Sequence, residues 1–340
     1  MLENRLSGTL EWYQRNTKDM LGPSRDVADM YGATPPQSNN ADLRTRGWEL
    51  SIKWKDNISE DLSYDLGLML TDYRSVVTRY QNPTRFNPAG AWYEGKNVGE
   101  IWGFTANSLL KTAEEAANYN ATLNRSYLSA RDWVAGDVKY EDINGDGKID
   151  IGANRVGDSG DYSIIGNSSA RYNFSLSGGV NWKNWSLSML WQGVGKQDFL
   201  PAALDAYFWG SGSLAQVTVF KEHLDYFSES NPDAYYPNPY ASPVGAIASY
   251  TNKTQSPASR YIQNASYIRL KNLTLQYTFN REWTQRMKIN RLTVFGTGDN
   301  LLTFTKLAGM FDPETLVGGQ GTGKLYPLSK VYSFGVNITF

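Results

Sequence analysis

Cysteine is absent from the 340-residue chain. That absence removes disulfides, zinc-thiolate centres and cysteine nucleophiles together, although it assigns no compartment. Histidine is nearly missing too. His223 is the only one, which precludes a multi-histidine metal site and leaves little for a Ser/His/Asp triad. Neither sign of charge dominates: the net charge is −1, and no basic cluster interleaves with aromatics, so no nucleic-acid partner is expected. No apolar run approaches the roughly 18 residues of a membrane-crossing helix, which excludes a helical membrane protein. The opening residues, MLENRLSGTL, have neither a basic start nor an apolar core. They are therefore not expected to be a secretory signal peptide, and the chain reads as if entered in mid-protein.

What is present is a folded composition, 41% hydrophobic and 20% charged, with 11 Trp and 22 Tyr. Its strongest pattern is alternation with period two, the mark of a strand whose two faces meet different surroundings. Trp48, Leu50, Ile52 and Trp54 point one way, and Glu49, Ser51, Lys53 and Lys55 the other. Leu62, Tyr64, Leu66, Leu68 and Leu70 repeat the pattern. A hairpin follows: Tyr172, Phe174, Leu176, Val180 and Trp182, a link at Lys183 and Asn184, then Trp185, Leu187, Met189 and Trp191. With further runs at about 5–14, 266–279 and 291–303 and the closing VYSFGVNITF, eight strands are expected.

The connections alternate in length: short near 56–61, 183–184 and 280–290, long at about 15–44, 73–168, 194–262 and 304–330. That alternation implies an all-β fold, an antiparallel up-and-down transmembrane β-barrel with its long loops on one side. Aromatics agree, since Trp and Tyr gather where headgroups meet hydrocarbon. Trp54, Trp182, Trp185, Phe279 and Phe340 fall at the short-turn rim, and Trp48, Tyr172, Trp191 and Tyr332 at the other. The alternative is a secreted, calcium-dependent carbohydrate-binding β-sandwich, in which these rings face a soluble core. Tyr332, Phe334, Val336, Ile338 and the terminal Phe340 share one face, like the terminal strand signal of outer-membrane barrels.

Residues 142–150, DINGDGKID, are spaced as a calcium loop. Asp142, Asn144 and Asp146 stand at positions one, three and five, the Lys148 carbonyl at seven and Asp150 at nine. Position twelve is Ala153, so the bidentate carboxylate of a sensor is missing. Asp158 or Asp161 could fold back to complete a shell. The ion would then order a loop that has no core of its own, and the competing reading is a tight Gly-rich turn without metal. GGQGTGKL, 318–325, nearly has phosphate-loop spacing, but Leu325 replaces the magnesium-binding hydroxyl and Pro327 follows where a helix should begin. His223 is expected to be solvated on a loop helix. Glu114 and Glu115 are expected on a short surface helix, which gives no specific support to paired-carboxylate chemistry. Tyr207, Trp209, Tyr235 and Tyr236 sit in one long loop; they could contact substrate or a partner, or pack the loop onto itself.

Successive segments then carry a resemblance across nearly the whole chain. NNADLRTRGWELSIKW (39–54), WYEGKNVGEIWGF (92–104), GDVKYEDINGDGKID (136–150), IIGNSSARYNFSLSGG (164–179), WQGVGKQDF (191–199), RYIQNASYIRLKNLTLQYTF (260–279), GDNLLTFTK (298–306) and YPLSKVYSFGVNITF (326–340) are similar, in order, to segments of SusC/RagA-type TonB-dependent outer-membrane transporters. Residues 1–340 resemble the carboxyl-terminal portion of such a barrel, without plug domain or first strands; the resemblance implies a complete barrel of about 22 strands. The resemblance implies the outer membrane of a Gram-negative bacterium, uptake of oligosaccharides or peptides, a SusD-like surface lipoprotein as lid, and a TonB complex acting through the missing part. It implies no catalysed reaction. An autonomous small outer-membrane barrel remains an alternative, its loops unusually long.

Overall fold

The computed structural model describes residues 4–23, 37–203, 205–212, 217–239, 253–316 and 325–340. In chain order the elements are β1 (Leu6–Gly22), β2 (Ser38–Ser59), β3 (Leu62–Arg79), β4 (Glu100–Phe104), β5 (Ala106–Leu109), α1 (Ala113–Thr122), β6 (Val138–Tyr140), β7 (Tyr162–Asn167), β8 (Arg171–Trp182), β9 (Trp185–Lys196), β10 (Asp198–Phe199), α2 (Ala206–Trp209), β11 (Gln263–Asn264), β12 (Tyr267–Thr278), α3 (Arg281–Arg286), β13 (Arg291–Thr305) and β14 (Val331–Thr339). Eight of the strands form one sheet in the order β1-β2-β3-β8-β9-β12-β13-β14, with every pairing antiparallel. Sequence neighbours are spatial neighbours, as an up-and-down wall requires. Among the described residues β1 and β14 pair with no common partner and not with each other, so these eight strands do not close into a barrel of their own.

The register joins like faces across the whole wall. Leu10 pairs with Leu50, Leu50 with Leu70 and Leu70 with Phe174. Further along, Val180 pairs with Leu187, Leu187 with Leu275 and Val294 with Val336. On the opposite face Thr9 meets Ser51, Gly67 meets Ser177, Ser188 meets Thr274 and Thr297 meets Ser333. A slip of one residue would exchange these faces, so the pattern fixes the pairing. Two phenylalanines cover glycines across β13 and β14. Phe334 lies over Gly296 on the apolar face and Phe295 over Gly335 on the polar face, restoring contact where the glycines have no side chain.

Among the described residues nothing packs on the apolar face. Phe334 is 87% exposed and Leu275 47%, whereas the hydrophobic core lies in the long connections. Phe104, Leu110, Trp133, Tyr140, Ile149, Phe208 and Tyr261 are its buried centre. The calcium-loop connection, expected to have no core of its own, is thereby corrected: described residues within about 80–170, 197–266 and 306–316 build a compact layer at one end of the wall. Its small pairings, β4 with β7, β5 with β6 and β10 with β11, are not visible in the sequence because strands of two to six residues are too short to show a period.

The wall strands also run further than the alternation suggested. β1 continues to Gly22, β2 begins at Ser38 and β3 continues to Arg79. An apolar band about 25 Å tall needs roughly 9–11 tilted residues, and beyond it both faces meet water. The backbone ladder continues there while the period-two signal fades.

Candidate functional site

DINGDGKID forms a closed surface loop whose side chains satisfy its own backbone. Asp142 accepts from the amides of Gly145 (2.6 Å), Asp146 (3.2 Å) and Gly147 (2.8 Å). Asn144 accepts from Asp146 and Asp146 from Lys148, at 3.0 and 2.9 Å, and Asp150 accepts from Gly152 at 2.7 Å. Gly145 and Gly147 take φ of 75° and 80°, which glycine adopts without steric cost. Asp161 does fold back: its oxygens accept from Ile143 (2.8 Å) and Asp150 (3.1 Å), and it is 1% exposed. Burial raises its carboxyl above the ordinary range, the donated amides oppose that rise, and the Asp142 charge adds to it. Among the described residues no three acidic or histidine side chains come together as a metal-holding group. The Lys148 segment is tied to α1's end instead, through Asn124 N to Gly147 O and Ile149 N to Asn124 O, both 2.8 Å.

The four loop aromatics divide. Trp209 and Tyr236 are buried, packing with Phe208 and Tyr261 at ring separations of 4.7–6.1 Å. Tyr235 is half-buried, its hydroxyl accepting from Gln263 at 2.7 Å. Tyr207 keeps 40% of its surface. His223 is buried rather than solvated: Nδ1 accepts from the Phe220 amide at 3.0 Å and Nε2 faces the Tyr207 and Phe208 carbonyls at 3.0 and 3.1 Å. Glu114 and Glu115 lie in the first turn of α1 as expected. Of the phosphate-loop-like segment, 318–324 lie outside the described residues.

Where the loop layer meets the outer ends of the wall strands lies a cleft of ≈ 670 Å³. Arg15, Tyr73, Ser75, Asn167, Lys196 and Asp198 are among its lining residues. Arg15 and Ser75 are both register partners of Thr45, which places them on the wall's polar face. The side chains of Arg15 and Lys196 have no hydrogen-bond or ion-pair partner among the described residues. One corner is held by Arg171 and Asp72, a two-point charge-assisted pair. There β8 parts from β3 at Tyr172, a non-glycine residue with φ of 55°. Another corner is Glu100, whose oxygens accept from Tyr93 Oη (2.8 Å), Asn97 N (2.9 Å) and Asn97 Nδ2 (3.1 Å). Nearby Lys96 is 5% exposed, its ammonium donating to the carbonyls of Pro88, Ala89 and Ala91. Burial lowers its pKa, against the raising influence of Glu100. Sequence reasoning missed this cleft because its walls come from segments more than 100 residues apart. Its only sequence signal is a pair of cations, Arg15 and Lys196, near the ends of alternating runs.

A one-layer antiparallel wall, apolar outward and polar inward, with its core in the loops at one end, defines a segment of a transmembrane β-barrel. Comparisons with known proteins narrow that class. No protein-family model matches the chain. TonB-dependent receptor P3 of Formosa agariphila is 22% identical over 365 residues, covering 100% of this chain and 33% of the relative. TonB-dependent receptor SusC of Bacteroides thetaiotaomicron is 25% identical over 343 residues, covering 100% and 30%. Among solved structures, that of the RagAB peptide transporter superposes with a TM-score of 0.72 at 22% identity, over 99% of this chain and 34% of the other. The chain thus resembles SusC/RagA-type TonB-dependent receptors over its whole length, and its fold is that of a RagA-type barrel wall with loops. It spans about a third of the length of these relatives.

Proposed function

We propose that the chain is the carboxyl-terminal portion of an outer-membrane, TonB-energised importer of oligosaccharides or peptides, forming barrel wall and extracellular loops. The observation that carries this reading is the register: apolar side chains meet across eight strands on a face that none of the described residues covers. In water such a patch is far larger than a monomer tolerates; in a bilayer it is the required surface. The open strand edges suit a larger barrel, whose remaining strands would pair with β1 and β14. The cleft, floored by wall and roofed by loops, suits passage of a polar solute. A SusD-like lipoprotein would close over the loops, and TonB would act elsewhere in the complete protein. No reaction is catalysed in this reading.

The test is uptake by cells carrying the complete protein, using labelled peptides and oligosaccharides, with and without an intact TonB complex. Saturable uptake that depends on both is expected, together with recovery of the protein in the outer-membrane fraction. Recovery as a soluble monomer without detergent, or uptake indifferent to TonB, would overturn the reading.

A further inference from the structure

Four cationic residues, Arg15, Arg74, Arg171 and Lys196, line the cleft between loop layer and wall, with two carboxylates, Glu100 and Asp198. These charges do not cancel one another. Arg171 is paired with Asp72, which is 6% exposed. Glu100 is taken up by neutral donors, Tyr93, Asn97 and the Trp102 indole, and Asp198 accepts from the Asn167 amide at 2.8 Å. Neither Glu100 nor Asp198 is in ion-pair contact with a cation among the described residues. Arg15 and Lys196 are exposed and have no side-chain partner there. Register sets both on the wall's polar face. Arg15 is the partner of Thr45, whose hydroxyl meets that of Ser75 at 2.7 Å. Lys196 lies an even number of residues along β9 from Ser188, which faces Thr274. Directly opposite Lys196 stands Arg171. Like charges so placed cost stability in a sheet, and Asp72 offsets only the arginine.

We infer that the cleft selects anionic solutes, with Arg15 and Lys196 receiving carboxylates of an acidic oligosaccharide or peptide. The inference rests on the transport reading above, which makes the polar face the side that solute passes. Cations left without carboxylate partners along such a path keep their field for the solute. Walls of low dielectric focus that field and raise the local concentration of the opposite charge, which is how Arg and Lys linings favour anions in pores. The guanidinium of Arg15 offers a carboxylate two parallel hydrogen bonds, and the ammonium of Lys196 offers a point charge. A carboxylate seated at Lys196 also relieves its opposition to Arg171. A neutral solute gains none of this.

The test uses cells carrying the complete protein, supplied with two equimolar mixtures: galacturonide with neutral glucan oligosaccharides of equal length, and glutamate-rich with glutamine-rich peptides. Mass spectrometry reads the acidic-to-neutral ratio taken up from each mixture, so the two arms separate a sugar carboxylate from a peptide one. In whichever mixture is imported, the acidic member should be preferred, and Arg15→Gln with Lys196→Gln should cut that preference roughly tenfold, within the range that focused charge supplies. Arg15→Lys with Lys196→Arg keeps both charges and should keep most of the preference, which separates lost charge from a folding defect. Import without charge preference, preference for the neutral member, or a preference unchanged in the glutamine variant would overturn the inference. Uptake of neither mixture would strike the transport reading instead.

Discussion

The guanidinium of Arg269 on β12 holds both carboxylate oxygens of Asp312, each 2.9 Å from Nη2, with the two side chains only 4% and 6% exposed. Its Nη1 lies 3.0 Å from Glu314, and its Nε donates to Thr303 on β13 at 2.8 Å. Asp312 in turn accepts from the amides of Glu314 and Leu328, at 2.9 and 3.1 Å. One buried ion pair therefore fastens both arms of the 306–330 connection to the wall.

Asp312→Ala removes the acceptor and leaves a buried guanidinium partly unpaired. Breaking such a pair costs about 3–5 kcal/mol. Limited proteolysis should cut the variant near residues 306–330 at protease levels that spare the parent, while the wall remains resistant. Equal resistance of the two proteins would show that the pair does not anchor the connection.

Asp142→Ala removes one carboxylate that serves three backbone amides. At about 1 kcal/mol per lost hydrogen bond, hydrogen exchange across 136–166 should quicken while the wall strands keep their protection. A calcium clamp, which we propose as an additional role of this loop, predicts that chelator alone quickens exchange in the parent and has no further effect in Asp142→Ala with Asp146→Ala. Insensitivity to chelator would leave only the hydrogen-bonded turn.

The wall was legible in the sequence and the loop layer was not, for one physical reason. A strand between lipid and a polar lumen must alternate, so Trp48 to Trp54 and Tyr172 to Trp191 announced both their structure and their faces. Trp133, Tyr140 and Phe208 are buried among residues from three separate connections, and no local period records that. DINGDGKID was legible as a loop because its glycines and carboxylates act on neighbours a few residues away. Arg15 and Lys196 became visible as cleft residues only once β1 and β9 had been placed in the wall.

Helix α1 should respond to acid. Thr112 caps it by accepting from the Glu115 amide at 3.1 Å, and Glu115 receives Lys139 Nζ at 2.7 Å and the Lys111 amide at 2.8 Å. Its carboxyl is held below the ordinary 4.5, first by the Lys139 hydrogen bond, then by the Lys111 amide, against burial. A lowered folded-state pKa stabilises fully above the unfolded value, and that contribution is lost as pH falls through the lowered value. Protection of the α1 amides, corrected for intrinsic exchange, should therefore fall below about pH 4.5. Glu115→Gln should flatten that dependence. A pH response unchanged in the variant would assign it to other groups.

The depth of a charge in the wall tests what surrounds it. Leu275 lies on the apolar face, paired with Leu187 and Gly296, and its neighbour Thr274 faces the other way toward Ser188 and Thr297. Leu6 lies on the apolar face too, but at the short-turn rim opposite Trp54. Leu6 and Leu275 are similarly exposed, at 41% and 47%, so a soluble core would penalise arginine at either by comparable amounts. A bilayer would not, because a lipid-facing arginine costs about 2–4 kcal/mol at the midplane and about 0–1 near the interface. In the complete protein folded into bilayers, Leu275→Arg should lower the urea midpoint markedly. Leu6→Arg and Thr274→Arg should leave it nearly unchanged. A penalty at Leu6 equal to that at Leu275 would mean that height does not matter, and the apolar face would have to be covered by protein instead of lipid.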